Sequence, residues 1–472
     1  MFARSLTLAL VATYASAAVE ADRVTSLPNM AVFDTYPVYS GYVDLPNTTK
    51  RIHYMFVESQ SVPSTDPLII WFNGGPGCSS MLGWAQEHGP YLMHNGDTNW
   101  VSNPYSWNTA ANVLYIEQPA GVGFSYCGTP EDCTFNDETA ADDNLVAVLE
   151  WFNLYPEFGT NPLYISGESY AGVYVPYLSK RIYDYNVANA ADPNVFKPNL
   201  IGFAVGNGVT NWNYDCTPAQ VDLYYWHSIM SDDMRIKMEN ANCDFSGYNF
   251  SNATAACISL YESMSLKAKW VNIYNIYGIC YGTSIDPQLY ETEGQQRKGW
   301  TACDYTPWVC PNSGLVEEDP LEGDSLPPCT YGIPLMNYFD DATVRADLHI
   351  DPNVGAWNMC TGPPAFNYTS LPQASQWIYE ELYGKIRMMH FSGDVDGAVP
   401  TIGTQNWIDS LNWTIQQPWT EWDYAGQVAG WSIVYENDFT FITVHGSGHM
   451  VPEDKPAQAH KMLYNWINQV PL

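Results

Sequence analysis

Ser169 stands in Gly167-Glu168-Ser169-Tyr170-Ala171-Gly172, directly after the apolar run Leu163-Tyr164-Ile165. A strand that ends in Gly-x-Ser-x-small and turns at once into a helix lifts a serine Oγ clear of a sheet, where it can attack an acyl carbon. Small flanking residues let the backbone take the sharp turn. The N–H groups opening the helix point at charge that develops beside the serine. Ala171 stands where the strict pattern has glycine, a minor departure. Such a serine needs a histidine base and a carboxylate to orient it. Two later segments supply them in that chain order, aspartate then histidine: Ser392-Gly393-Asp394-Val395-Asp396-Gly397-Ala398-Val399-Pro400, and His445-Gly446-Ser447-Gly448-His449-Met450-Val451-Pro452. Asp394 and Asp396 compete for the acid, and the local pattern does not choose. Gly448 and Pro452 mark a tight loop around His449, whereas His445 continues a strand and reads as structural. His53, His88, His94, His227, His349, His390 and His460 lack such a setting and read as packing or surface residues.

The elements that must hold these groups are readable as short apolar runs. Leu68–Phe72, Val113–Ile116, Leu163–Ile165, Ile201–Val205, Ile386–Phe391 and Phe441–Val444 read as strands. Tyr39–Val43 and Ile52–Val57, on either side of Pro46-Asn47, read as an antiparallel hairpin. Between the second and third runs, Leu145, Val148, Leu149 and Phe152 fall at helical spacing over 138–153. Buried strands separated by helices imply a mostly parallel central sheet with helices on both faces. With the serine turn, this is the α/β-hydrolase fold. The pattern breaks down over 211–334, which carries Cys216, Cys243, Cys257, Cys280, Cys303, Cys310 and Cys329. That stretch reads as an inserted, disulfide-bearing cap between a first core part, 19–210, and a second, 335–472.

The chain of 472 residues carries a formal net charge of −33, which repels nucleic acid and anionic membrane alike. An acidic compartment would reduce that charge. A basic start at Arg4, an apolar stretch from Leu6 to Ala18 and Ala15-Ser16-Ala17 predict a secretory signal peptide over 1–18. Sequons at Asn47, Asn249, Asn252, Asn367 and Asn412 are expected to be glycosylated in that pathway. With 11 cysteines, disulfides follow once the chain is exported, and Cys127 with Cys133 brackets a short loop suited to a local bond. The cysteines form no C-x-x-C pairs with nearby histidines, so no zinc site is expected.

Four motifs in order resemble the serine carboxypeptidase family: Asn73-Gly74-Gly75-Pro76-Gly77-Cys78-Ser79-Ser80, the Ser169 turn, Gly393-Asp394-Val395-Asp396, and Gly448-His449-Met450-Val451-Pro452. The likeness covers almost the whole chain after the leader. It implies Ser169 as nucleophile, His449 as base and Asp396, not Asp394, as orienting acid. It also implies an oxyanion hole from the N–H groups of Gly75 and Tyr170. Family members bind the substrate's free α-carboxylate with an asparagine and a pair of carboxylic acids, which fall here on Asn73, Glu87 and Glu168. Trp71 matches the tryptophan that orients the asparagine. Met450 matches a position lining the leaving-residue pocket, where an apolar side chain suits hydrophobic C-terminal residues. The resemblance also pairs Cys78 with Cys360.

Two glutamates facing a carboxylate repel it unless one holds a proton, so peptide cleavage is expected to be best at acidic pH. The expected activity is release of C-terminal residues from peptides through an acyl-enzyme, with no metal and no organic cofactor. The expected location is extracellular, vacuolar or lysosomal; monomer and homodimer fit equally. An acyltransferase on the same scaffold would share the triad.

Overall fold

The computed structural model describes residues 20–30, 35–95, 97–281, 329–330 and 332–472. The expected leader, 1–18, and Cys303 and Cys310 lie outside them. An 11-stranded sheet runs through the molecule in the spatial order Arg23–Val24, Val38–Asp44, Arg51–Val57, Asn112–Ile116, Leu68–Phe72, Leu163–Glu168, Leu200–Gly206, Arg387–Gly393, Phe439–Val444, Gln427–Tyr435, Ile415–Tyr424. The strands from Asn112–Ile116 to Phe439–Val444 are parallel to one another. Antiparallel strands close both edges. This is the α/β-hydrolase fold.

Alternation along each strand sends side chains to two cores. Leu68, Ile70, Phe72, Leu163 and Ile165 join one apolar layer with Trp151, Val175 and Leu178 from the helices Asp137–Leu154 and Ala171–Ala188. Ile69, Trp71 and Tyr164 join the opposite layer with Met462, Leu463 and Trp466 from the helix Pro456–Ile467. Strands buried on both faces must be apolar throughout, which is why they read as continuous runs.

The hairpin at Ile415–Tyr424 and Gln427–Tyr435 was not predicted. Its first strand is almost wholly exposed and carries Pro418, so it shows neither apolar alternation nor a clean strand signature. Ala425 and Gly426, both at positive φ (52° and 74°), make its tight turn. Within 211–334, the helices Thr217–Trp226, Asp232–Asn240 and Ala255–Ala268 pack Val221, Tyr224, Met234, Met238 and Tyr261 into a small apolar core of their own. Cys243–Cys257 and Cys280–Cys329 are disulfide-bonded in this stretch; Cys78–Cys360 and Cys127–Cys133 are bonded outside it. Among the described residues Cys216 alone is unbonded.

Candidate active site

The strand Leu163–Glu168 ends one residue before Ser169, whose φ of 64° lies in the left-handed region. Holding a serine there costs on the order of 1–3 kcal/mol, and the surroundings enforce it. Ser169 N–H donates to Gly206 O (3.0 Å), and Ser169 O accepts from Gly172 N (2.9 Å) and Val209 N (2.9 Å). Glycine is required on either side because of close backbone approach. A Cβ on Gly167 would stand 2.4 Å from Phe72 O, and one on Gly172 would stand 2.5 Å from Val209 O. The loop of Gly74 and Gly75 presses on the same turn, since a Cβ on Gly74 would lie 2.3 Å from Tyr170 N. Gly75 and Tyr170 therefore border the serine together, and all three line one cavity of about 850 Å³.

His449 lines that cavity too. Its Nδ1 lies 2.7 Å from Asp396 Oδ2, and Asp396 is wholly buried. Asp396 also accepts from Asn207 Nδ2 (2.9 Å), Ala398 N (2.7 Å) and Val399 N (3.1 Å). Four donors fix this carboxylate and leave it able to hold the imidazole in one orientation, with Nε2 free to exchange a proton with a nucleophile. The competing pair is also formed: His445 Nδ1 lies 2.7 Å from Asp394 Oδ2, but the His445 side chain is 60% exposed. One pair serves the cavity and the other braces a surface turn.

Beside the serine lies a second polar group. Asn73 Oδ1 accepts from Trp71 Nε1 (2.8 Å) and Gly83 N (2.9 Å), which fixes the amide so that Nδ2 faces two carboxyls. That nitrogen donates to Glu87 Oε1 (2.9 Å) and Glu168 Oε1 (3.1 Å). Asn73, Glu87 and Glu168 are buried and line the cavity, with Trp71 behind them. Burial pushes the Glu87 carboxyl up to about 7. Burial, and then the neighbouring Glu87 charge, holds Glu168 well above the usual carboxylate range. A pair of this kind keeps a proton under mildly acidic conditions and can donate to an anion. Met450 also lines the cavity.

The serine carboxypeptidase family model matches residues 28–469. The chain belongs to the serine carboxypeptidase family. It is a serine-type carboxypeptidase, a hydrolase. It is 35% identical over 481 residues to the lysosomal protective protein of Mus musculus, covering 99% of this chain and 98% of that one. It is also 35% identical over 465 residues to serine carboxypeptidase-like 35 of Arabidopsis thaliana, covering 96% and 92%. A crystal structure of Kex1(delta)p, a prohormone-processing carboxypeptidase from Saccharomyces cerevisiae, shares the fold with a TM-score of 0.73 at 20% identity, over 96% of each chain.

Sequence reasoning passed over several residues that shape this carboxypeptidase's site. Asn207, at φ 40°, ties Asp396 to the strand end by accepting from Gly393 N (2.9 Å) through Oδ1. Its signal is local: Gly206-Asn207-Gly208 closes a strand at the same sheet end as Ser169. Tyr274, from the insertion, accepts His449 N–H through its carbonyl (2.6 Å) and sets its ring 5.2 Å from the imidazole. Asp454 accepts from Gly448 N (2.6 Å) and Asn275 Nδ2 (3.0 Å), closing the histidine loop.

Glu117 is a buried node behind Cys78. It accepts from Trp357 Nε1 (3.0 Å), Phe124 N (2.8 Å) and the Ser79 hydroxyl, and pairs with His53 Nδ1 (2.8 Å). With Ser40 Oγ 2.9 Å from His53 Nε2, this is a second serine–histidine–carboxylate trio, but it is wholly buried and braces the structure. The five sequon asparagines, Asn47, Asn249, Asn252, Asn367 and Asn412, are all exposed. Among the described residues no His, Cys, Asp and Glu group could hold a metal, and no helix is long and apolar enough to cross a membrane.

Proposed function

We propose that Ser169, His449 and Asp396 form the catalytic triad, and that the carboxypeptidase favours hydrophobic C-terminal residues at acidic pH. His449 takes the Ser169 proton as Oγ attacks the last peptide carbonyl. The backbone N–H groups of Gly75 and Tyr170 receive the oxyanion, and the imidazolium returns the proton to the leaving amine. Water then enters by the same route in reverse and releases the shortened peptide from the serine ester. The substrate's terminal carboxylate accepts hydrogen bonds from Asn73 and a protonated member of the Glu87–Glu168 pair.

The observation that carries this reading is the Asn73 amide, which binds two buried carboxyls beside the serine. An esterase without need of chain ends would have no task for that group. Met450 supports preference for an apolar leaving residue. The inserted stretch serves as a cap, since among its described residues Tyr224, Tyr261 and Tyr274 reach into the same cavity. The lysosomal name of the mouse relative supports secretory-pathway delivery, to an acidic organelle or the exterior, with peptide and protein C-termini as substrates. A matched series of blocked dipeptides, their amidated forms and ester analogues tests the reading, with Ser169→Ala as control. Turnover must require the free carboxylate; equal cleavage of amidated peptides would refute it.

A further inference from the structure

The turn Val451–Asp454 follows His449 and Met450 and packs against the short helix Gly83–Glu87 that carries one of the paired carboxyls. It brings two more acids to the site, and they differ in employment. Asp454 is committed to the scaffold through Gly448 N and Asn275 Nδ2. Glu453 lines the cavity with His449, Met450, Glu87 and Glu168, and among the described residues no hydrogen bond engages its carboxyl. The Glu87 and Glu168 oxygens nearest Asn73 are already taken by its amide. The other oxygen of each is buried with no partner outside the pair, which marks that end of the cavity as built for a polar ligand.

We infer that Glu453 is a specificity-determining residue of the leaving-residue pocket, receiving the cationic end of a C-terminal lysine or arginine whose aliphatic stem lies along Met450. This rests on the carboxypeptidase reading. The division of labour follows from chemistry. The Asn73 group is satisfied by the terminal α-carboxylate, which every substrate has. The side chain leaves the same Cα in another direction and needs its own complement. Lysine and arginine bury their methylene stems on apolar surface while the head seeks a carboxylate. Met450 and Glu453, three positions apart, offer those two surfaces in order.

The acceptance is pH-dependent. The charges facing Glu453 are Glu87 and Glu168 across the cavity, Asp454 and Lys455 beside it, and the ionisable groups of His449 and Tyr281. Burial, then Asp454 and Glu87, favour its neutral form well above the usual range. At acidic pH it is therefore uncharged and tolerates apolar residues beside Met450. As pH rises and the carboxyl ionises, a cationic residue gains a partner that leucine does not. Weakening of α-carboxylate binding over the same range affects both substrates and cancels in their ratio.

The test uses two blocked dipeptides with one penultimate residue, ending in arginine or leucine, with kcat/KM measured from about pH 5 to about pH 9, a range below arginine titration. In the wild-type protein the arginine-to-leucine ratio rises with pH. In Glu453→Gln that rise disappears and the ratio at the upper pH drops about tenfold, as for a lost buried charge contact. Glu453→Asp, with a shorter carboxylate, keeps part of the rise. A flat ratio in the wild type, or the same rise in Glu453→Gln, overturns the assignment while leaving the carboxypeptidase reading intact. No turnover of either peptide overturns both.

Discussion

His449 Nδ1 and Asp396 Oδ2 lie 2.7 Å apart, the same separation as His445 Nδ1 and Asp394 Oδ2, yet only the first pair is buried at the cavity. Distance alone would not choose between them; burial, and a place on the cavity that Ser169 also lines, favour the first. Asp396→Asn is expected to lower kcat by roughly ten-thousandfold, because an amide favours the wrong imidazole tautomer. Peptide KM should change little. Asp394→Asn should stay within about twofold, since exposed pairs contribute little. Steady-state kinetics on one blocked dipeptide compares them, and comparable losses in both variants would refute the choice.

If the paired glutamates hold the substrate carboxylate as proposed, peptide binding should depend on pH. Glu87, pushed up to about 7 by burial, and Glu168, also held well above the usual carboxylate range, keep a proton in acid and lose it as pH rises. Wild-type peptide KM should therefore climb above about pH 7, while a small ester without a terminal carboxylate keeps its KM. Glu87→Gln carries a permanent donor, so the climb should flatten. A wild-type KM constant from about pH 4 to about pH 8 would dismiss the shared proton.

The same group has a stability consequence of opposite sense to the usual carboxylate. Its value when folded, about 7, lies above the ordinary 4.5. Its contribution is thus fully present below about 4.5 and is lost as pH rises through 7, because the unfolded chain ionises first. Wild-type Tm should fall between about pH 5 and pH 8 more than that of Glu87→Gln. Parallel Tm curves from calorimetry would contradict this.

What the sequence discloses follows from where the information lies. The Ser169 turn is legible because strand, nucleophile and helix are contiguous and backbone crowding leaves Gly167 and Gly172 no freedom. The central strands are legible because burial on both faces makes them apolar runs. Asp394 and Asp396 are not separable by local pattern, since both sit on one turn and their partners lie 51 and 53 positions on. Asn207 escapes for a similar reason: it meets Asp396 across 189 positions. The hairpin at Ile415–Tyr424 escapes because an exposed edge strand has no core to impose alternation.

Cys78–Cys360 spans 282 positions and stands between two backbone hydrogen bonds, Ser79 N to Met359 O (2.8 Å) and Thr361 N to Gly77 O (2.8 Å). It pins the loop of Gly75 to a distant part of the chain. Cys360→Ser should cost roughly 2–5 kcal/mol and lower kcat more than it raises KM, because the oxyanion donors lose their anchor. Cys127→Ser, opening a bond of separation 6, should cost less and spare kcat. Calorimetry with kinetics ranks the two, and the reverse order would discount the anchoring role.

Asn207 supplies a neutral donor to Asp396 where a charge would be out of place. Asn207→Asp keeps a residue type that tolerates positive φ, so the backbone at φ 40° is not the variable. Two buried carboxyls 2.9 Å apart cannot both ionise, so the new side chain shares one proton with Asp396 and no fixed amide donor is left. Loss of a charge-assisted hydrogen bond should lower kcat about tenfold. Peptide KM and Tm should stay near wild type, because backbone and volume are kept. A purely structural role would lower Tm along with kcat. Steady-state kinetics with calorimetry on Asn207→Asp decides it: an unchanged kcat, or a fall in Tm alongside that in kcat, would mean that Asn207 does not act through Asp396.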